Sequence, residues 1–274
     1  MKLSFNTLAY SSYPSWLPAY PLEEVIKRLS RIGYDGIEIG ATSPHAWPQY
    51  LDKGRREEIR KILKDHNVVV SSMCVPLGGG PGFNPASPNE MERKSFIRLY
   101  KECIDLCADL ESNMILWVGG WLVYGVSKDR GWDWQKKALS ECARYAQDKN
   151  VTVVIEPTPA DTNIVETADD ALRLMKETQL PNVKVMFDTF HANYRNEPMT
   201  DYVKKMGQNL AHVHISDTDR LPPGKGSMDF KLLIQALKDI NFSGFLTLEI
   251  GFNTRAADPD LYAQQSYEYL KSIT

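Results

Sequence analysis

Four ligand-type side chains close four successive apolar runs in the second half of the chain. Glu156 follows Val153-Val154-Ile155, Asp188 follows Val185-Met186-Phe187, His214 stands between Val213 and Ile215, and Glu249 follows Leu246-Thr247-Leu248. A lone carboxylate at the end of a buried strand has a plain explanation, because Asp and Glu are favoured where the next helix begins. Four such residues on adjacent strands ask for more. Three carboxylates brought together repel one another, and each is costly to desolvate unless a cation sits among them. Three carboxylates and one imidazole suit Mn²⁺, Mg²⁺ or Co²⁺ better than a structural zinc site, which prefers thiolate. The expectation is one divalent ion, Mn²⁺ foremost, held by Glu156, Asp188, His214 and Glu249.

The elements that must position these residues follow from the pattern of apolar runs. Eight short stretches rich in Val, Ile, Leu and Met stand out: Leu3–Thr7, Gly36–Gly40, Val68–Val75, Met114–Gly119, Val151–Glu156, Val183–Asp188, Ala211–Ser216 and Phe245–Ile250. Such runs fit parallel strands covered on both faces. Helical periods lie between them, at Leu22–Ile32, Arg55–His66, Glu90–Leu110, Trp134–Asp148, Thr167–Thr178, Thr200–Met206, Asp229–Ile240 and Pro259–Ile273. Leu22, Val25, Ile26, Leu29 and Ile32 share one stripe, and Gly33 supplies a stop. Eight strands, each followed by a helix, predict an α/β fold of the closed (β/α)8 TIM-barrel type, in one domain over 1–274. In such a barrel the C-terminal strand ends form one rim, so residues closing strands five to eight converge. A doubly wound open sheet would show a glycine-rich dinucleotide fingerprint after its first strand, and Asn6-Thr7-Leu8-Ala9-Tyr10 has none.

Bulk properties narrow the function classes. Hydrophobic residues at 43% and charged residues at 24% describe a soluble globular protein. The formal net charge of −3, with no basic block, argues against nucleic acid as a partner. No run approaches the ~20 apolar residues of a membrane helix, and Met1-Lys2-Leu3-Ser4-Phe5-Asn6 lacks the apolar core of a secretory signal. A cytoplasmic protein is the expectation. Cys74, Cys103, Cys107 and Cys142 form no CxxC pair and read as small buried side chains. The Gly/Pro-rich segment Leu77–Pro88 follows the third strand, where it could serve as a lid or as a plain connector.

The motifs Ile155-Glu156-Pro157, Phe187-Asp188-Thr189-Phe190-His191, His212-Val213-His214-Ile215-Ser216-Asp217 with Arg220, Pro223-Gly224-Lys225-Gly226 and Leu248-Glu249-Ile250-Gly251 carry a resemblance. Together they resemble the xylose-isomerase-like barrels of the sugar phosphate isomerase/epimerase superfamily, and within it the D-tagatose 3-epimerase and ketose 3-epimerase branch. The ligand separations of 32, 26 and 35 residues agree with that branch, and the likeness spans essentially the whole chain.

The resemblance implies that the metal chelates a ketose carbonyl and a neighbouring hydroxyl. Glu156 and Glu249 would then exchange a proton at C3 from opposite faces through a cis-enediolate. Two acid/base groups suit epimerisation, because a single base tends to return the proton to the face it came from. It further implies that His191 and Arg220 bind the substrate oxygens, that Asp161 stands in for a glutamate of the longer loop found in many ketose epimerases, and that the protein is a homodimer or homotetramer. The segment Ile37-Glu38-Ile39-Gly40 with Ser43-Pro44-His45-Ala46-Trp47 resembles fructosamine-type 3-epimerases, which points to a larger, decorated ketose. Trp117, Trp121 and Tyr124 offer an apolar wall for the sugar or simple packing, and His212, one pleat deeper than His214, reads as an interior histidine. An aldose–ketose or inosose isomerase would use the same site with another proton destination. A sugar-phosphate epimerase would need a phosphate cradle, for which Arg255 is the candidate. An abasic-site endonuclease of this barrel type needs more histidines than the five present, and a non-catalytic sugar-binding barrel would not need every ligand.

Overall fold

The computed structural model describes residues 1–11, 18–75, 83–252 and 257–274. Eight parallel strands close into a barrel in sequence order: β1 (Lys2–Asn6), β2 (Gly36–Gly40), β3 (Val69–Cys74), β4 (Met114–Val118), β5 (Thr152–Glu156), β6 (Val183–Asp188), β7 (Leu210–Ile215) and β8 (Phe245–Leu248). The circle is completed by β1 against β8, with Leu3 opposite Leu246 and Phe5 opposite Leu248. Each strand lies within a residue or two of its expected run.

Nine α-helices occur among the described residues: α1 (Leu22–Ile32), α2 (Lys53–Asp65), α3 (Glu90–Asp109), α4 (Lys128–Gln147), α5 (Ala168–Thr178), α6 (Thr189–Tyr194), α7 (Met199–Met206), α8 (Phe230–Asp239) and α9 (Pro259–Ile273). Side-chain caps set most of their starts. Asp52, Asn89, Ser127, Asp229 and Asp258 each accept from a backbone N–H of the first turn, and Thr167 forms a reciprocal capping box with Asp170. Gly33 ends α1 at φ +112°, a conformation that only glycine adopts without strain. Helix α4 starts six residues before the expected Trp134, because the Ser127 cap begins a first turn that lacks apolar periodicity.

The strands divide their side chains between two cores. One set, including Phe5, Ile37, Ile39, Ile115, Trp117, Val153, Ile155, Val185, Phe187, Val213, Ile215, Leu246 and Leu248, packs outward against the helices. The other faces the barrel axis, where Cys74, Leu116, Val154 and Met186 form a small apolar cluster. Other inward positions are polar and buried, among them Ser4, Asn6, Glu38, Ser72, His212, His214 and Thr247. One side of the interior is therefore oily and the other is hydrogen-bonded.

This division decides one alternative that the sequence leaves open. Trp117 is fully buried on the outer face of β4, edge-on to Phe96 and Tyr100 of α3 at 5.2 and 5.0 Å, so it cannot line a sugar pocket. Tyr124 is wholly exposed, and Trp121 is half-buried, its backbone bonded to the Asn84 side chain. The four cysteines are all buried and free. No helix among the described residues is long and apolar enough to cross a membrane. Most of the glycine-rich part of the Leu77–Pro88 segment, and Arg255, lie outside the described residues.

Candidate metal centre

The strands of the second half deliver Glu156, Asp188, His214 and Glu249 to one point. Each offers a ligand atom, and these atoms all lie within 4.8 Å of one another. His214 is central to the group, with Nδ1 3.2 Å from Glu249 Oε2 and 3.6 Å from Glu156 Oε1. Asp188 and His214 stand opposite each other in the β6–β7 register, so their proximity is a property of the sheet rather than of flexible loops. Glu249 follows the last residue of β8, and its N–H donates to Ile215 O at 3.0 Å, which ties it beside the end of β7.

Asp188 has two tasks. One carboxylate oxygen accepts from Phe190 N at 2.8 Å and caps the short helix α6, while the other pairs with Arg220. The plain capping role that any strand-end aspartate can fill is thus present here alongside the ligand geometry. Helix α6 has no counterpart in the sequence reading. It carries His191, which is buried and lies 3.4 Å from Asp161 Oδ2 through Nε2. Asp161 itself has a side chain 59% exposed, so the pair bridges the buried site and solvent.

Arg220 reaches the group from the loop after β7. Its backbone is left-handed at φ +62°, directly after Asp219 at φ +57°. Two consecutive non-glycine residues in that region carry strain that the surrounding structure must hold. Buried Asp217 holds it, accepting from the N–H groups of Thr218, Gly224 and Met228 at 2.8, 2.9 and 3.1 Å. The guanidinium then stacks over the Phe190 ring at 4.1 Å and pairs with Asp188 and with Glu249 Oε2, the latter at 2.7 Å.

A second buried cluster lies beneath the first and was missed from sequence. Glu38 of β2, fully buried, sits 2.9 Å from His214 Nε2 and 3.2 Å from His212 Nε2. It also accepts from Ser72 Oγ at 2.6 Å and Asn6 Nδ2 at 2.8 Å, and the same Asn6 nitrogen reaches Glu249 Oε1 at 3.2 Å. His212 therefore occupies the interior position expected of it. The signal available in the sequence was a glutamate between Ile37 and Ile39, which alternation sends inward when both isoleucines face the helices.

The electrostatics follow from burial and neighbours. Burial pushes Glu156 above the ordinary carboxylate range despite the counter-pull of His214. Burial also opposes ionisation of Glu249, but Arg220 and His214 hold it well below that range. Glu38 behaves likewise: desolvation is overcome by His214 and His212, and its pKa falls to about 2. Burial disfavours a charged His214, yet Glu38 and Glu249 raise its pKa well above the usual histidine value.

The donor set fits a divalent cation. Three carboxylates and one imidazole converge, and His214 Nδ1 is a buried ring nitrogen without a hydrogen-bond partner, aimed at two of those carboxylates. An oxygen-rich set with one nitrogen favours Mn²⁺, Mg²⁺ or Co²⁺ over thiolate-seeking metals.

The sequence matches the Xylose isomerase-like TIM barrel family over residues 26–273. Among characterised proteins it is 27% identical over 259 residues to the fructoselysine 3-epimerase of Shigella flexneri, covering 92% of this chain and 93% of that protein. It is 27% identical over 233 residues to the D-psicose 3-epimerase of Agrobacterium fabrum, covering 82% of this chain and 77% of that one. The crystal structure of D-psicose 3-epimerase with D-tagatose from Clostridium cellulolyticum H10 superposes with a TM-score of 0.85 at 22% identity, covering 100% of this chain and 99% of that one. The matched span takes in seven of the eight strands and every residue of the four-ligand group, and the chain belongs to the xylose isomerase-like TIM barrel family.

Proposed function

We propose that the protein is a divalent-metal-dependent 3-epimerase of a ketose or decorated ketose, with Glu156 and Glu249 as its acid/base pair. The observation that carries this reading is the placement of buried Glu156 and half-buried Glu249 against the same ring nitrogen of one imidazole, beside a third carboxylate, at the C-terminal rim of the barrel. Glu156, Asp188, His214 and Glu249 are the residues that would hold the ion. The chemistry a divalent ion supplies there is Lewis-acid polarisation of the ketose carbonyl, which makes the neighbouring C3 proton removable.

The residues of the chain do the rest. One glutamate takes the C3 proton as the electron pair of the C–H bond moves into an enediolate. The other delivers a proton to the opposite face of C3, and the configuration there inverts. Arg220, with its fixed fork of donors, stabilises the developing negative oxygen. His191 and Asp161 hydrogen-bond the hydroxyls farther along the sugar. The names of the relatives, fructoselysine and psicose 3-epimerases, support a ketose as substrate. The same reading takes the whole chain as one catalytic domain with Mn²⁺ as the resident ion, in a cytoplasmic homodimer or homotetramer. The oxygen-rich donor set supports the ion, and the sequence resemblance supports the assembly.

Proton NMR of ketoses in D₂O, with Mn²⁺, Mg²⁺ or Co²⁺ supplied in turn and removed before the spectrum, tests the reading. Tagatose, fructose, psicose, the ketopentoses, an inosose and a fructosamine form the panel. Metal-dependent deuterium uptake at C3 with appearance of the epimer is the expected result. Uptake at C1 with aldose formation would replace epimerase with isomerase, and metal binding without exchange on any compound would refute the substrate class.

A further inference from the structure

We infer that Glu38 is a positioning residue for the metal centre: it fixes the tautomer of His214, and through Asn6 it also orients Glu249. The inference rests on the proposed metal site and deepens it. Its starting point is the chemistry of the contacts around one carboxylate. Glu38 lies on β2, across the barrel from β7, and is fully buried. His214 Nε2 lies 2.9 Å from Glu38 Oε1 and 3.1 Å from Oε2. An ionised carboxylate only accepts, so the proton of a neutral His214 must be on Nε2. That leaves the Nδ1 lone pair bare, and Nδ1 is the atom that faces Glu156 and Glu249 without a hydrogen-bond partner of its own. The tautomer that Glu38 selects is the one able to coordinate a cation at the group.

Every acceptor position of Glu38 is used. Asn6 Nδ2, Ser72 Oγ, His212 Nε2 and His214 Nε2 all approach it, at 2.8, 2.6, 3.2 and 2.9 Å. Four donors around a carboxylate leave it no freedom to turn, so the imidazole it holds is fixed as well. Asn6 extends the hold. Its amide nitrogen spans Glu38 Oε1 and Glu249 Oε1, and its oxygen accepts from Leu8 N at 2.9 Å, which decides which end of the amide points inward. One buried carboxylate thus aims two of the four ligands from the opposite side of the barrel. Carboxylate–histidine pairs behind a metal fix ring orientation in this way, and their loss costs roughly 10–100-fold in metal affinity.

The test compares metal binding by wild type, Glu38→Gln and Ser72→Ala, by calorimetric titration of Mn²⁺ into the metal-depleted proteins. Glu38→Gln keeps the shape but places an amide NH₂ among four donors. Its Mn²⁺ dissociation constant is expected to rise about 10–100-fold. Ser72→Ala removes one of the four donors to that carboxylate but leaves the Glu38–His214 contact in place, so its loss of affinity should be clearly smaller than that of Glu38→Gln. Equal loss in both variants, or no loss in Glu38→Gln, would overturn the inference while leaving the metal centre standing. Failure of the wild type itself to bind any divalent ion would instead remove the site on which the inference rests. Should Glu38→Gln not fold, ¹⁵N NMR of histidine-labelled wild type with Mg²⁺ decides the question. A protonated Nε2 with a metal-facing Nδ1 on His214 is expected, and the reverse tautomer would overturn the assignment.

Discussion

Arg220 and a divalent ion answer the same electrostatic need, and the substitution Arg220→Met separates them. Methionine keeps most of the stem that lies on the Phe190 ring and removes the charge that pairs with Asp188 and Glu249. Removing one partner of a buried ion pair costs about 3–5 kcal/mol because the other is left without compensation. The Arg220 side chain is 23% exposed, so water screens part of that loss, and about 2–3 kcal/mol is the working figure for protein in EDTA. At roughly 2 °C per kcal/mol for a chain of this size, the melting point falls by about 4–6 °C.

Saturating Mn²⁺ should close most of that gap, since the ion supplies positive charge to the same oxygens. Linkage then makes a second, independent demand. If metal stabilises the variant more than the wild type, the variant must bind metal more tightly by the same free energy. A difference of about 2 kcal/mol corresponds to roughly a 30-fold lower dissociation constant. The variant should therefore be less stable without metal, tighter for metal, and slower in turnover. Urea or thermal melts in EDTA and in Mn²⁺, calorimetric metal titration, and the rate of deuterium uptake at C3 check the three in turn. An equal stability deficit with and without metal, or weaker metal binding, would refute the reasoning.

Glu156→Gln and Glu249→Gln should each lower epimerisation by about 10²–10⁴-fold, the usual worth of a general acid/base group, with an unchanged far-ultraviolet spectrum; near-normal deuterium uptake at C3 in either would end the two-base scheme. Asp161→Asn alters only an exposed carboxylate 3.4 Å from His191, so KM should rise no more than about fivefold, in line with ~1 kcal/mol for an exposed pair, while kcat holds. Asp217→Ala leaves three backbone donors of the Arg220 loop without an acceptor and should reproduce part of the Arg220→Met pattern in EDTA and Mn²⁺ melts, though Asp217 is not one of the four ligands. Far from the site, burial opposes ionisation of Glu177, but Trp132, Arg173 and Lys136 hold its pKa at about 2, below the ordinary 4.5; its contribution is whole above pH 4.5 and is lost as pH falls toward 2, so urea midpoints of wild type and Glu177→Gln should differ at pH 7 and converge near pH 2.

The sequence made the rim legible because each candidate ligand there closes an apolar run, a pattern that survives without knowing how the strands curve. The barrel followed from the regular alternation of runs and helical periods. The interior was harder to read for a reason specific to parallel strands. Both faces are covered, so Leu116 and Trp117 are equally apolar and parity cannot be assigned until the sheet closes. That is why the choice for Trp117 between sugar wall and packing stayed open until the sheet closed. Glu38 suffered from the same ambiguity, since a glutamate between two isoleucines also describes a half-exposed strand. Helix α6 escaped notice because six residues hold less than two turns, and its cap, Asp188, had already been read as a strand-end ligand.

The buried charges explain why the polar half of the barrel is built as it is. Four carboxylates, those of Glu38, Glu156, Asp188 and Glu249, share one region with two cationic groups, Arg220 and His214. Two negative charges are left over when both cations are charged. Part of the excess falls on Glu156, whose nearest cationic partner is His214 at 3.6 Å, and burial drives its pKa upward while the cationic neighbours of Glu249 and Glu38 drive theirs down. A divalent ion among the ligands would displace the proton from His214 and still leave the cluster closer to neutrality than before. It would also remove the penalty on ionising Glu156. On the proposed mechanism, a cation beside Glu156 would favour its ionised, proton-accepting form against the effect of burial, so proton exchange at C3 should demand the metal even where the sugar binds without it.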